Sequence, residues 1–238
     1  MFERNSLAVV GMLGLFVMGC SSEETTSSIN IKTGGIAALI DVHTDLAQKA
    51  TVHVELKVGG ASSNTYVALE NGDQLTATAG DKTQALSVAN GVGRYETSFS
   101  DVPADTLFSV VLERPHDTTA ANNSGTLPAA YDLAKPTEGA SRKNDDLEVT
   151  WAPSGSDDGM DFEFEGDCIY PYSTSATDLG TVTVPKGDLD STGGDKPTTC
   201  VITLNAIRSR PGTADAAFDS ESYFRVHQER TTKFSSAP

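Results

Sequence analysis

The chain has 238 residues, with 33 Asp and Glu against 17 Lys and Arg, a formal net charge of −16. A surface this acidic repels phosphate backbones and anionic headgroups, which excludes nucleic acid as a partner and leaves divalent cations and basic surfaces open.

From the start, "MFERNS" gives way to "LAVVGMLGLFVM", Leu7 to Met18, a run without charge. About a dozen apolar residues suit the core of a secretory signal and fall short of the roughly 20 a membrane-spanning helix needs. The run ends in Val17-Met18-Gly19-Cys20. These residues resemble the lipobox of bacterial lipoproteins, with Met18 bulkier than the usual residue at its place. The resemblance implies a signal peptide over residues 1–19, cut after Gly19, and a diacylglyceryl group on the Cys20 thiol. Cys20 then becomes an acylated N-terminus that anchors the protein to a membrane of the cell envelope. Ser21, where aspartate could stand, resembles the pattern of lipoproteins exported to the outer membrane. The following "SSEETTSS" is small, polar and without apolar period, so residues 20–30 are expected to form a flexible tether.

Strand signals begin with "IAALIDVH" and are clearest in "ATVHVELKV". There Val52, Val54, Leu56 and Val58 alternate with Thr51, His53, Glu55 and Lys57, the period of a half-buried strand. "NTYVALE", "QLTATA", "ALSVA", "RYETSF" and "LFSVVLE" follow, separated by Asn71-Gly72-Asp73, Gly80-Asp81, Asn90-Gly91 and Pro103. Short strands at such spacing predict an antiparallel β-sandwich over residues 31–133. Residues 134–146, rich in proline, small residues and charge, read as a linker.

A second set starts at Leu147. "LEVTW" places Leu147, Val149 and Trp151 on one face, and "MDFEFE" places Met160, Phe162 and Phe164 on one face against Asp161, Glu163 and Glu165. Counting by twos, Cys168 falls with the apolar set unless a bulge at Gly166 intervenes, and Cys200 is in register with Ile202 and Leu204. An even pair of cysteines in an exported chain predicts a Cys168–Cys200 disulfide. "TVTV" and "SYFRVHQE" complete a second sandwich over residues 147–238. "DLEVTWAPSGSDDGMDFEFEG" resembles the second and third strands of a fibronectin type III or immunoglobulin-like domain. It departs from the antibody pattern in that Trp151 precedes both cysteines, so the disulfide must join different strands. The fold class is therefore all-β, two antiparallel sandwiches.

Catalytic signatures are missing from the sequence. The histidines, His43, His53, His116 and His227, form neither H-x-H nor H-E-x-x-H, and "PSGSDDG" lacks the G-x-S-x-G elbow of a serine nucleophile. His43 has Asp41 and Asp45 beside it, a conceivable metal ligand or oriented base. The acids of "DFEFE" lie along one strand face, where glycoside hydrolysis requires two acids facing across a cleft. "DLDSTGGDK" carries Asp188, Asp190, Thr192 and Gly193 at the spacing of the first half of a calcium loop. Thr199 stands where the closing glutamate belongs, so the segment reads as a plain acidic surface loop, with a weak calcium site closed by Asp195 as the alternative. The end loop holding Ser156, Asp157, Asp158 and Asp161 is the other binding candidate. The reading is a non-enzymatic envelope module, structural or binding a protein or glycan, with no cofactor beyond calcium. The alternatives are a hydrolase or glycan-modifying enzyme whose carboxylates converge only in three dimensions, and a calcium-dependent adhesion module.

Overall fold

The structure, a computed structural model, describes residues 23–45, 48–194 and 196–238. The expected signal peptide, the expected lipidation site Cys20 and the calcium candidate Asp195 lie outside the described residues.

In chain order the first strands are β1 (Glu24–Ser27), β2 (Ile36–Thr44), β3 (Ala50–Val58), β4 (Thr65–Ala68), β5 (Gln74–Ala79) and β6 (Lys82–Ala85). Next come β7 (Ser87–Val88), β8 (Arg94–Phe99), β9 (Leu107–Glu113), β10 (Ala120–Thr126), β11 (Asp132–Leu133) and β12 (Ala140–Ser141). The last are β13 (Leu147–Ala152), β14 (Gly159–Glu165), β15 (Tyr172–Thr177), β16 (Thr181–Val184), β17 (Cys200–Pro211) and β18 (Tyr223–Ala237).

The all-β expectation holds, and the sheets stack as sandwiches. A large sheet runs β1-β4-β3-β2-β18-β17-β14-β15, with β8 also pairing β3. One part of it packs on the sheet β10-β9-β5-β6, and the other part on β11-β13-β16. Alternation does the work in both places. Val52, Val54 and Leu56 of β3 meet Leu75, Phe108, Val110 and Leu112 in the first core. Val149 and Trp151 of β13 meet Phe162, Phe164, Ile202 and Leu204 in the second. Pairing is mostly antiparallel, but β1–β4, β12–β18 and β18–β2 are parallel.

The two cores share strands, which the boundaries drawn from sequence did not foresee. β18 spans fifteen residues and pairs along most of its length with β17. Its first part lies beside β2, with Phe224 and Val226 buried in the first core; Phe234 near its end is buried in the second. Phe218 joins the first core too, while Tyr131 joins the second. Neither 133 nor 147 therefore separates two independent bodies. The local pattern in "SYFRVHQE" marks a strand, but it does not reveal that one strand serves two cores.

Two further segments depart from expectation. Residues 23–30, assigned to the tether, are ordered: β1 pairs with β4, Glu23 pairs with Arg94 at 2.6 Å, and buried Arg114 donates to the Ser28 carbonyl at 2.6 Å. Low apolar content does not prevent this, because an edge strand is held by backbone hydrogen bonds and one buried guanidinium. The linker is also docked. β12 pairs with β18, and buried Arg142 donates to the carbonyls of Ser236 and Thr198 and to Ser191 Oγ. The disulfide forms as expected, with Cys168 and Cys200 Cα atoms 5.9 Å apart. β14 stops at Glu165, and a turn from Gly166 to Ile169 carries Cys168 into the core.

Candidate functional site

The parallel register of β2 and β18 sets Asp41 beside Arg225 and His43 beside His227. Since side chains alternate, all four share the outer face of the sheet, with Tyr223 and Glu229 on the same row of β18. Antiparallel β17 brings Ser209 opposite His227 and Ile207 opposite Glu229, and β14 brings Asp161 opposite Ile207. The result is a groove of about 390 Å³ lined by Asp41, His43, Arg225, His227 and Glu229 on one side and Asp161 and Glu163 on the other.

The contacts are dense. Arg225 Nε donates to Asp41 Oδ1 at 2.9 Å, and Tyr223 Oη donates to Asp41 Oδ2 at 3.1 Å. His227 Nε2 lies 3.2 Å from Asp41 Oδ1, and its Nδ1 lies 3.0 Å from Ser209 Oγ. His43 Nδ1 lies 2.6 Å from Glu229 Oε1, and the two imidazoles stack with centroids 4.8 Å apart. The Arg225 guanidinium sits 4.0 Å above the Tyr223 ring. Asp41 is partly buried, which alone would push its pKa up. The hydrogen bonds from His227, Arg225 and Tyr223 outweigh that and bring it to about 2. The Glu229 hydrogen bond raises the His43 pKa, and the same contact lowers that of Glu229. Burial, then the Asp41 charge, pushes the Tyr223 phenol up to about 12.

The residues singled out from sequence fare differently. Asp161 lines the groove and accepts from Ser175 Oγ at 2.6 Å. Ser156 and Asp158 hold the fold. The hydroxyl and N–H of Ser156 donate to Asp178, and buried Asp158 receives a two-point contact from Arg210 at 2.7 and 2.9 Å. Asp157 is exposed in the same loop. Asp188 and Asp190 lie on an exposed loop, where Tyr172 donates to Asp188 and Thr192 Oγ1 donates to the Asp167 carbonyl. His53 stands on the polar face of β3 as read, 3.0 Å from Glu96 through Nδ1. Of the sequence candidates, His43 with Asp41 is the pair that the fold joins to further titratable groups, His227 and Glu229. Those two were visible only as alternate positions of "YFRVHQE"; the strand pairing that joins them to β2 spans more than 180 residues.

The fold and the groove define an all-β protein with two stacked-sheet cores and one shared polar sheet face. No family model and no curated protein matches the chain. Among solved structures, it aligns with the Yersinia pseudotuberculosis adhesin InvE at 13% identity and a TM-score of 0.25 over 85% of this chain, and it spans 60% of that one. A tetra-tandem repeat from the extending region of a large adhesion protein aligns at 14% identity and a TM-score of 0.25, covering 83% of this chain and 49% of that one. A DUF3823 family protein from Parabacteroides merdae aligns at 8% identity and a TM-score of 0.26, covering 84% of this chain and 99% of that one. At these values the likenesses carry no argument about activity.

Proposed function

We propose that the chain is a non-enzymatic binding module of the cell envelope, held at a membrane by lipid on Cys20, and that it engages an envelope protein or glycan through the outer face of its large sheet. The observation that carries this reading is the groove. Strands belonging to both cores converge there to present paired histidines, an arginine, a tyrosine and acids on a rigid scaffold. Asp41 is matched to Arg225 and His43 to Glu229 in contact pairs, and Asp161 and Glu163 add acidic groups across the groove, an array that suits recognition of a polar surface. The resemblance of Val17-Met18-Gly19-Cys20 to a lipobox supports the location. The test has two parts. Mass spectrometry of the mature chain from the producing cell should find Cys20 acylated and N-terminal. Isolated envelopes should retain a non-acylated Cys20→Ser chain at least tenfold better than the same chain carrying Asp161→Lys and Arg225→Glu. Equal retention overturns the groove reading, and an unmodified Cys20 overturns the anchoring.

One observation favours a second reading, a glycan-modifying hydrolase: Asp41 and Glu229 line the same groove as Asp161 and Glu163. Asp161→Asn and Glu163→Gln would then abolish turnover of an envelope glycan without weakening its binding.

A further inference from the structure

We infer that the groove holds a divalent transition-metal ion of the zinc class, bound by His43, His227 and Asp41, with Glu229 orienting His43 from outside the ligand set. This rests on the reading of the groove given above and names a ligand for it.

Three observations carry it. Among the described residues, one ligand atom each from Asp41, His43 and His227 lie within 4.8 Å of one another. A tetrahedron with bonds of 2.0–2.2 Å has edges of about 3.4 Å, so the set must contract by little more than 1 Å. Second, electron-pair donors face each other at hydrogen-bond distance in two places, His227 Nε2 against Asp41 Oδ1 and His43 Nδ1 against Glu229 Oε1. A proton lies between each pair; a metal ion beside Asp41 replaces the one on His227 Nε2, while Glu229 occupies His43 Nδ1 and leaves His43 Nε2 for the ion. Third, an outer layer that orients ligands is already built. Ser209 Oγ contacts His227 Nδ1, which leaves Nε2 aimed into the cluster, and Tyr223 fixes Asp41.

The imidazoles stack with 20° between their planes, whereas a metal lies in the plane of each ring it binds. One ring must therefore turn. His43, with 43% of its side chain exposed, is the one with room to do so. Arg225 beside Asp41 opposes the incoming charge and weakens the site without blocking it. Two imidazoles with a carboxylate select zinc, nickel, cobalt or copper over calcium and magnesium.

The test is titration of the full chain in detergent with Zn2+ by calorimetry and with Co2+ by visible absorption. One ion per chain is expected, with the intense d–d bands of a four-coordinate site. His43→Ala and His227→Ala should each weaken binding at least tenfold, Ser209→Ala about tenfold, and His116→Ala not at all. Circular dichroism checks each fold, and His43→Gln at the half-exposed position is the second variant should His227→Ala unfold. No saturable binding by the wild type, or unchanged affinity with His43 replaced, overturns the inference. Envelope retention of the non-acylated Cys20→Ser chain, measured with and without chelator, separates this from the binding reading: retention indifferent to chelator leaves the groove a binding face, while metal binding with no groove-dependent retention removes that face and keeps the ion.

Discussion

The indole nitrogen of Trp151 donates to Asp178 Oδ1 across 2.5 Å, and both groups are buried. The same oxygen accepts from Arg208 Nη2 at 2.9 Å, and the other accepts from the N–H and hydroxyl of Ser156. Arg208 also donates to the carbonyls of Ala129 and Pro153. One carboxylate thus ties the core tryptophan, the β13–β14 loop and the middle of β17 where the two cores meet. Removing one partner of a buried ion pair costs about 3–5 kcal/mol, because the other charge is left unmatched. Asp178→Ala should lower the urea midpoint at an unchanged slope, the shift multiplied by that slope giving a loss of about 3–5 kcal/mol. A loss below about 1 kcal/mol would mean that the knot contributes little.

The same group sets part of the response to acid. Burial pushes the Asp178 pKa up, but the hydrogen bonds from Ser156 and Trp151, with the Arg208 charge, hold it below the usual carboxylate range. Its folded value is therefore lower than its unfolded value, near 3.9. Such a group contributes stability that is fully present above about pH 4 and is lost as pH falls through the folded value. Asp215 acts in the same direction, held down by the backbone N–H of Ala217. Denaturation midpoints followed downward from pH 5 should fall for the wild type and fall less steeply for Asp178→Ala. Parallel curves would show that other carboxylates dominate the acid limb.

Sharing of β18 between cores makes a prediction about cooperativity. Phe224 and Phe234 lie ten residues apart on one strand and are each 1% exposed, in different cores. Truncating a buried phenylalanine to alanine removes its transfer free energy and leaves a cavity, together about 3–5 kcal/mol. Were the cores independent, each variant would lower one of two calorimetric transitions. Because the strand is common to both, Phe224→Ala and Phe234→Ala should each shift a single transition. Two resolved transitions, with only one moved by each substitution, would contradict a shared body.

Much of this fold was legible as alternation. "ATVHVELKV", "LEVTW" and "MDFEFE" placed their apolar residues in the cores as read, and Asn71-Gly72 takes up the positive φ angles that a tight turn demands. β10, "AANNSGT", escaped notice. Its Asn123 is buried through side-chain bonds to the carbonyls of Val110 and Ala120, and its Gly125 is needed because a Cβ would come within 2.9 Å of the Phe224 ring. Neither reason shows in a local window. The groove was half legible: Asp41 and His43 stood out as neighbours in "DVHTD", whereas His227 and Glu229 reach them only through a parallel pairing that no short-range pattern encodes. Ser156 and Asp158 looked available for the opposite reason. Their partners, Asp178 and Arg210, lie 22 and 52 residues away.

The disulfide should act locally. β14 and β17 pair directly, yet the chain between them first adds β15 at the edge of the same sheet, then crosses to β16 in the facing sheet, and returns; Cys168 and Cys200 stand near the two ends of that excursion, 32 residues apart. In the chain-entropy view, opening a loop of this size removes roughly 3–4 kcal/mol. The second core bears the loss, since Cys168 is packed within it while β9 and β10 lie on the first. Cys168→Ser with Cys200→Ser should lower the unfolding midpoint accordingly. Under native conditions, amide exchange should accelerate most between residues 166 and 200, with the amides of β9 changing only as far as global stability falls. Equal acceleration of local openings in both cores would show that the link braces the whole molecule through β17 and β18.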